Sequence, residues 1–151
     1  MRVIEHLSDF NALVGQEVAV SPWLEVTQQQ INQFAEATGD HQWIHVDAER
    51  AKAGPFGATI AHGFLTLSML PRFFESAMTV THSRMGINYG LNKVRFTSPV
   101  PVGSRLRGRM KLLSCEPIEG DGVQMVWSTT VEREGVDKPV CIAESVVRRY
   151  T

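Results

Sequence analysis

The sequence predicts an α+β fold, one antiparallel sheet curled around one apolar helix, and two observations carry that prediction. Beyond Ser83 apolar residues recur at every second position, the period of strands with one buried face. From Ala61 to Phe74, by contrast, Phe64, Leu65, Leu67, Met69, Leu70, Phe73 and Phe74 fall on nearly every side of a helix. A helix apolar all round has to be wrapped, and the long strands that follow are what the chain offers to wrap it.

The elements follow in order. Ile4 to Val14 is a short amphipathic piece, with Ser8 or Asp9 as cap, Leu7, Phe10 and Leu13 on one face, and Gly15 at its end. Val18 to Val26 is extended and interrupted by Ser21-Pro22. Thr27 and Gln30 form a capping box for a helix whose buried stripe is Ile31, Phe34 and Ala35. Gly39 sits where a left-handed cap is wanted, so the chain turns sharply just before Asp40. Residues 40–47 read as a loop, Asp47 to Lys52 as a turn of helix capped by Asp47, and residues 53–57, Ala-Gly-Pro-Phe-Gly, as a second loop. In the apolar helix Pro71 lacks a backbone donor and should kink or end it.

The strands are equally explicit. Ile87, Tyr89 and Leu91 share one face, but Val94 and Phe96 have the opposite parity, which places a bulge at Gly90 to Asn92. Pro99 and Pro101 separate this strand from the next. There Leu106, Met110 and Leu112 point inward while Arg105, Arg107, Arg109 and Lys111 point outward. That basic row is either a phosphate site or the solvated outer face of an antiparallel sheet, and the second is the ordinary case. Val123 to Val131 alternates again, and the turn at Glu134-Gly135 joins it to Val140 to Tyr150 as a hairpin.

Size and charge exclude several function classes. At 151 residues the expectation is one domain spanning 1–151. A formal charge of −1 gives no general case for binding nucleic acid or an anionic membrane. No apolar run approaches the roughly 18 residues of a membrane span, and acids in the first ten residues are unlike a signal peptide, so a cytoplasmic protein is expected. Cys115 and Cys141, far apart and without metal spacing, read as reduced strand residues.

Asp40, His41, His45 and Asp47 put four ionisable groups within eight residues, and a helix with free N–H groups in its first turn follows. That is how a small acid/base site is built. An aspartate after a helix-ending glycine is as readily a turn residue, and both readings stand on the residues alone.

Three motifs carry a resemblance. GD-x-x-x-IH-x-D at Gly39 to Asp47, FG-x-x-IAHG-x-L-x-L-S at Phe56 to Ser68 and VRF-x-x-PV-x-x-G-S-x-L at Val94 to Leu106 resemble the MaoC-like dehydratases of the hot dog fold. That family includes (R)-specific enoyl-CoA hydratases and nodulation-protein-N-like members. The resemblance implies a long central helix starting near His62, gripped by a curved sheet, and a homodimer whose sheets join edge to edge. It places the catalytic pair on Asp40 and His45, and the backbone N–H that polarises the thioester carbonyl on Gly63. Gln42-Trp43 stands where related hydratases carry Asn-Pro, and Pro71 where some carry serine.

Hydration of an α,β-unsaturated thioester needs a base for water at C3, an acid for C2 and donors for the enolate-like oxygen. A carboxylate and an imidazole sharing one water supply the first two, and imidazole exchanges protons near neutral pH in either direction. The resemblance therefore implies hydration of trans-2-enoyl-CoA to (3R)-hydroxyacyl-CoA, or the reverse dehydration, with no cofactor beyond the CoA of the substrate. A non-catalytic acyl-thioester binding protein, or a thioesterase on the same scaffold, stays open. His62 is read as fixing the loop, His41 as solvated and Asp47 as a cap. The rival chemistry is a metal on His41, His45, Asp47 and His62, but H-x-x-x-H here has Gln42 where a zinc hydrolase needs Glu, and no metal is expected.

Overall fold

The computed structural model describes residues 1–151. Its strands are β1 (Arg2–Ile4), β2 (Glu17–Val20), β3 (Leu24–Glu25), β4 (Met78–Val80), β5 (Met85–Arg95), β6 (Arg105–Ile118), β7 (Gly122–Arg133) and β8 (Cys141–Tyr150). Its α-helices are α1 (Gln28–Thr38), α2 (Trp43–Val46), α3 (Ala48–Lys52), α4 (Gly63–Ser68) and α5 (Leu70–Ala77). The main sheet runs β2-β6-β7-β8-β5 with β3 also on β6, all pairs antiparallel. The expected α+β wrap, with β7 and β8 as a hairpin, is present.

The sheet closes on the helix because its inner face is apolar at alternate positions. Leu106, Met110, Leu112, Met125 and Trp127 join Phe73 of α5 in one core of 23 residues. Gly108 allows the closest approach, since a Cβ there would lie 3.0 Å from Phe73 Cβ. On the outer face Arg105 pairs with Glu134 at 2.9 Å, Arg107 with Glu132, and Arg109 with Glu17 at 2.8 Å. Three of the four cations of the basic row are thus paired with neighbouring glutamates, and Lys111 is exposed, as on a solvated sheet face.

The break expected from Pro71 is present, and three details differ from the sequence reading. The central helix is not one long rod: it breaks at Met69, whose N–H reaches both Leu65 and Thr66 carbonyls, and Pro71 then has no N–H to give Leu67. It is not covered all round either, because Phe64 is 67% exposed. The register of β5 shifts twice, between Asn88 and Gly90 and between Leu91 and Lys93, bracketing the expected bulge. β1, which pairs in parallel with β4, had no signal in so short a stretch.

Candidate active site

Local backbone chemistry sets the site. Thr27 and Gln30 form the expected capping box, and α1 ends at Gly39 with φ 80°, its N–H on Ala35 O at 2.8 Å. A left-handed residue there costs least as glycine, and it throws Asp40 away from the helix axis. The segment after Asp40 is not wholly loop, as expected, but makes one helical turn, α2, because Gln42 O accepts from His45 N and Trp43 O from Asp47 N. This turn carries His45 inward.

His45 is 6% exposed and His62 2%. His45 Nδ1 lies 2.7 Å from Ile60 O and His62 Nε2 2.9 Å from Asp40 O. A carbonyl only accepts, so both nitrogens are donors and the neutral rings have their lone pairs on His45 Nε2 and His62 Nδ1. Burial lowers the His45 pKa, as does His62, against the raising effects of the Ile60 hydrogen bond and Asp40. His45 is therefore a neutral acceptor near pH 7. A carboxylate oxygen of Asp40 and one ring nitrogen each of His45 and His62 lie within 4.8 Å of one another. Asp40 is exposed, with Oδ1 accepting from Gln42 N at 3.3 Å.

Gly63 begins α4 beside this cluster. Leu65 and Thr66 both donate to His62 O, which leaves the N–H groups of Gly63 and Phe64 without a backbone acceptor. A Cβ on Gly63 would lie 2.9 Å from the Phe96 ring, so a larger residue there would have to displace that ring.

The other candidates are elsewhere. His41 is exposed and 3.7 Å from Glu36, and Asp47 accepts from Arg50 N as the cap of α3. His41 also precedes α2, so the H-x-x-x-H pair does not share a helix face and the four-residue metal set does not assemble. Trp43 packs under Arg50 and against Gly54, whereas Gln42 touches both members of the pair through its backbone, its N–H on Asp40 Oδ1 and its carbonyl on His45 N. The sequence reading missed Gln28, which bonds His45 O and the Thr59 hydroxyl and so ties α1 to both sides of the site. An exposed-looking glutamine in a first helical turn carries no signal of this.

Asp40, His45 and His62 thus gather before α4 on a hot dog scaffold, and residues 9–134 match the MaoC like domain. The chain belongs to the MaoC-like dehydratase family. It is 56% identical to 3-hydroxyacyl-thioester dehydratase Z of Mycobacterium tuberculosis over 148 residues, 98% of each chain. Against nodulation protein N of Rhizobium meliloti the identity is 48% over 139 residues, 91% of this chain and 86% of that one. Among solved structures, a monoamine oxidase regulatory protein from Archaeoglobus superposes with a TM-score of 0.76 at 24% identity, covering 99% of this chain and 97% of the other. The unliganded R-hydratase PhaJ1 from Pseudomonas aeruginosa gives 0.66 at 25%, covering 89% and 79%. No helix is long and apolar enough to cross a membrane.

Proposed function

We propose that this protein is a hydro-lyase interconverting trans-2-enoyl-CoA and (3R)-hydroxyacyl-CoA, with Asp40 and His45 handling the protons of one water. The observation that carries the reading is the fixed tautomer of His45, whose Nδ1 donates to the Ile60 carbonyl and leaves the lone pair on Nε2, in a ring with a nitrogen within 4.8 Å of an Asp40 carboxylate oxygen. In hydration the water oxygen bonds C3, the water's proton is taken by the pair and returned to C2, and charge passes through the thioester oxygen. The Gly63 N–H, unengaged at the start of α4, is the donor for that oxygen. The chemistry is acid/base throughout and calls for no group besides water and the CoA thioester. The names of the relatives, a thioester dehydratase and R-hydratases, support the same reaction.

Assembly is part of the proposal. β5 is a free edge carrying Met85, Ile87, Tyr89 and Leu91, each more than 40% exposed, and a second copy paired there would cover them. The decisive experiment follows loss of enoyl-thioester absorbance with crotonyl-CoA and longer trans-2-enoyl-CoAs, with chiral analysis of the product. Turnover to the (3R) alcohol is expected. No turnover of any enoyl-CoA would overturn the hydratase reading in favour of acyl-thioester binding alone.

A further inference from the structure

A cavity of about 610 Å³ lies between the bent helix and strands β5, β7 and β8, and the proton chemistry makes no use of it. Its near end, at Leu67 and Ser68, begins one helical turn past Gly63, where β8 contributes Ser145. Its far end is at Glu75, Ser83, Arg84 and Arg149. At 1.5 Å rise per residue, Gly63 and Glu75 are about 18 Å apart along the helices. The walls between are largely apolar, with Leu70, Phe74 and Trp127, so the cavity suits an extended acyl chain running from the reacting carbons toward the arginines.

Arg149 is what an ordinary acyl pocket would not have. It lies on the same strand parity as Ala143 and Ser145, the face of β8 turned to the helix. On the outer face Arg105, Arg107 and Arg109 pair with glutamates, and Arg148 lies over Tyr89. Arg149 has no carboxylate oxygen within 4.0 Å, and its one side-chain hydrogen bond is a long 3.4 Å contact to Ser83 Oγ. Burial pushes its pKa down while Glu75 acts in the opposite sense. A sheltered guanidinium without a carboxylate is costly unless an anion comes to it. Arg84 stands at the same end, so two cations face one glutamate there.

Resting on the hydratase reading, we propose that the preferred substrate is a long-chain enoyl thioester whose far end bears a carboxylate, bound by Arg149 with Arg84 beside it. The test compares kcat/KM for matched pairs from octenoyl-CoA to tetradecenoyl-CoA, each with its ω-carboxy counterpart. The parent should prefer the carboxylate at one or more lengths by about tenfold, the size of one charge-assisted hydrogen bond. Arg149→Met should lose that preference through KM, Arg149→Lys should keep part of it, and Glu75→Gln, which removes a competing negative charge, should raise it. Equal or better use of the plain chain at every length, or a preference surviving in Arg149→Met, would overturn the proposal. If Arg149→Met does not fold, a preference unmoved in both Arg149→Lys and Glu75→Gln overturns it. If the parent turns over no enoyl-CoA, the hydratase reading fails separately, and calorimetry with dodecanoate and the uncharged dodecan-1-ol decides the cavity question. Tighter binding of dodecanoate, lost in Arg149→Met, supports the anion site; equal or no binding removes it.

Discussion

The imidazoles of His45 and His62 are stacked, their centroids 3.8 Å apart and their planes 24° from parallel, and each gives its N–H to a backbone carbonyl. Burial and the neighbouring His62 both disfavour the charged form of His45. The arrangement favours neutral His45, with its lone pair on Nε2.

The first prediction is therefore a pH dependence. The folded-state pKa of His45 lies below its usual 6.5, so the unfolded chain takes up this proton at a higher pH than the folded one. Its contribution to stability is present above about pH 6.5 and is lost as pH falls from there toward the folded pKa. The acidic limb of kcat/KM should lie below pH 6.5 for the same reason. Thermal melts across pH 5 to 8 check the sign, and His45→Gln should flatten this part of the profile. A parent whose melting temperature rises on acidification through that window would contradict it.

A second prediction concerns Asp40 and His45 as a unit. Asp40→Asn and His45→Gln keep size and much of the hydrogen bonding, so each should lower turnover by on the order of 10²–10⁴ while the fold persists. Because both act on one water, the double mutant should be hardly worse than either single. His41→Gln, on an exposed side chain, should change little. His62→Gln places an amide donor near the former Nε2 and should cost much less than loss of the pair, since the Asp40 carbonyl can keep its partner. Near-normal turnover in both Asp40→Asn and His45→Gln would remove the assigned mechanism.

Gly63 gives a third. Gly63→Val collides with Phe96, whose ring is 44% exposed and can move aside, so stability should fall modestly. Valine keeps the N–H, but its side chain blocks the thioester carbonyl's approach to it, so turnover should fall by about 10²–10³, as on loss of one oxyanion donor. Adding Phe96→Ala removes the collision, and should restore stability without restoring turnover. Recovery of both together would show that Gly63 serves packing and not the thioester oxygen.

What was legible in the sequence was what neighbours in the chain decide. Thr27 with Gln30, Gly39 and Asp47 are capping residues whose partners lie within four positions, and all three behave as their types require. The alternation from Leu106 to Leu112 is likewise local, and so is the break that Pro71 imposes. The motifs brought Asp40, His45 and Gly63 to notice, but not why the geometry works. The Ile60 carbonyl that fixes the His45 tautomer lies 15 residues away, and Gln28, which braces the same loop, lies 17 away. Arg149 ended a plainly alternating strand. Nothing in that pattern says that its inner face lines a cavity, or that the glutamates of Arg105, Arg107 and Arg109 are all on the other side.

The last prediction is the oligomer. An edge strand of 11 residues with no partner on one side presents unpaired N–H and C=O groups along its length, and such edges are usually blunted by charge, proline or cover. On β5 the one lysine is Lys93, there is no proline, and Met85, Ile87, Tyr89 and Leu91 are 42, 41, 58 and 47% exposed. Phe64 on α4 and Phe96 just past β5 extend the patch, their rings 5.9 Å apart and edge to face. A twofold joining β5 to its copy would continue the sheet and shelter these groups near Gly63. Ile87, which does not line the cavity, is the position to change. Ile87→Lys puts like charges close to the twofold, so multi-angle light scattering at micromolar concentration should show about half the parent mass, with thermal stability reduced. Because Phe64 and Phe96 border the proposed thioester site, enoyl-CoA turnover per chain should fall along with the dimer. A parent that is monomeric at that concentration would remove the dimer, and an Ile87→Lys protein that stays dimeric would place the contact elsewhere.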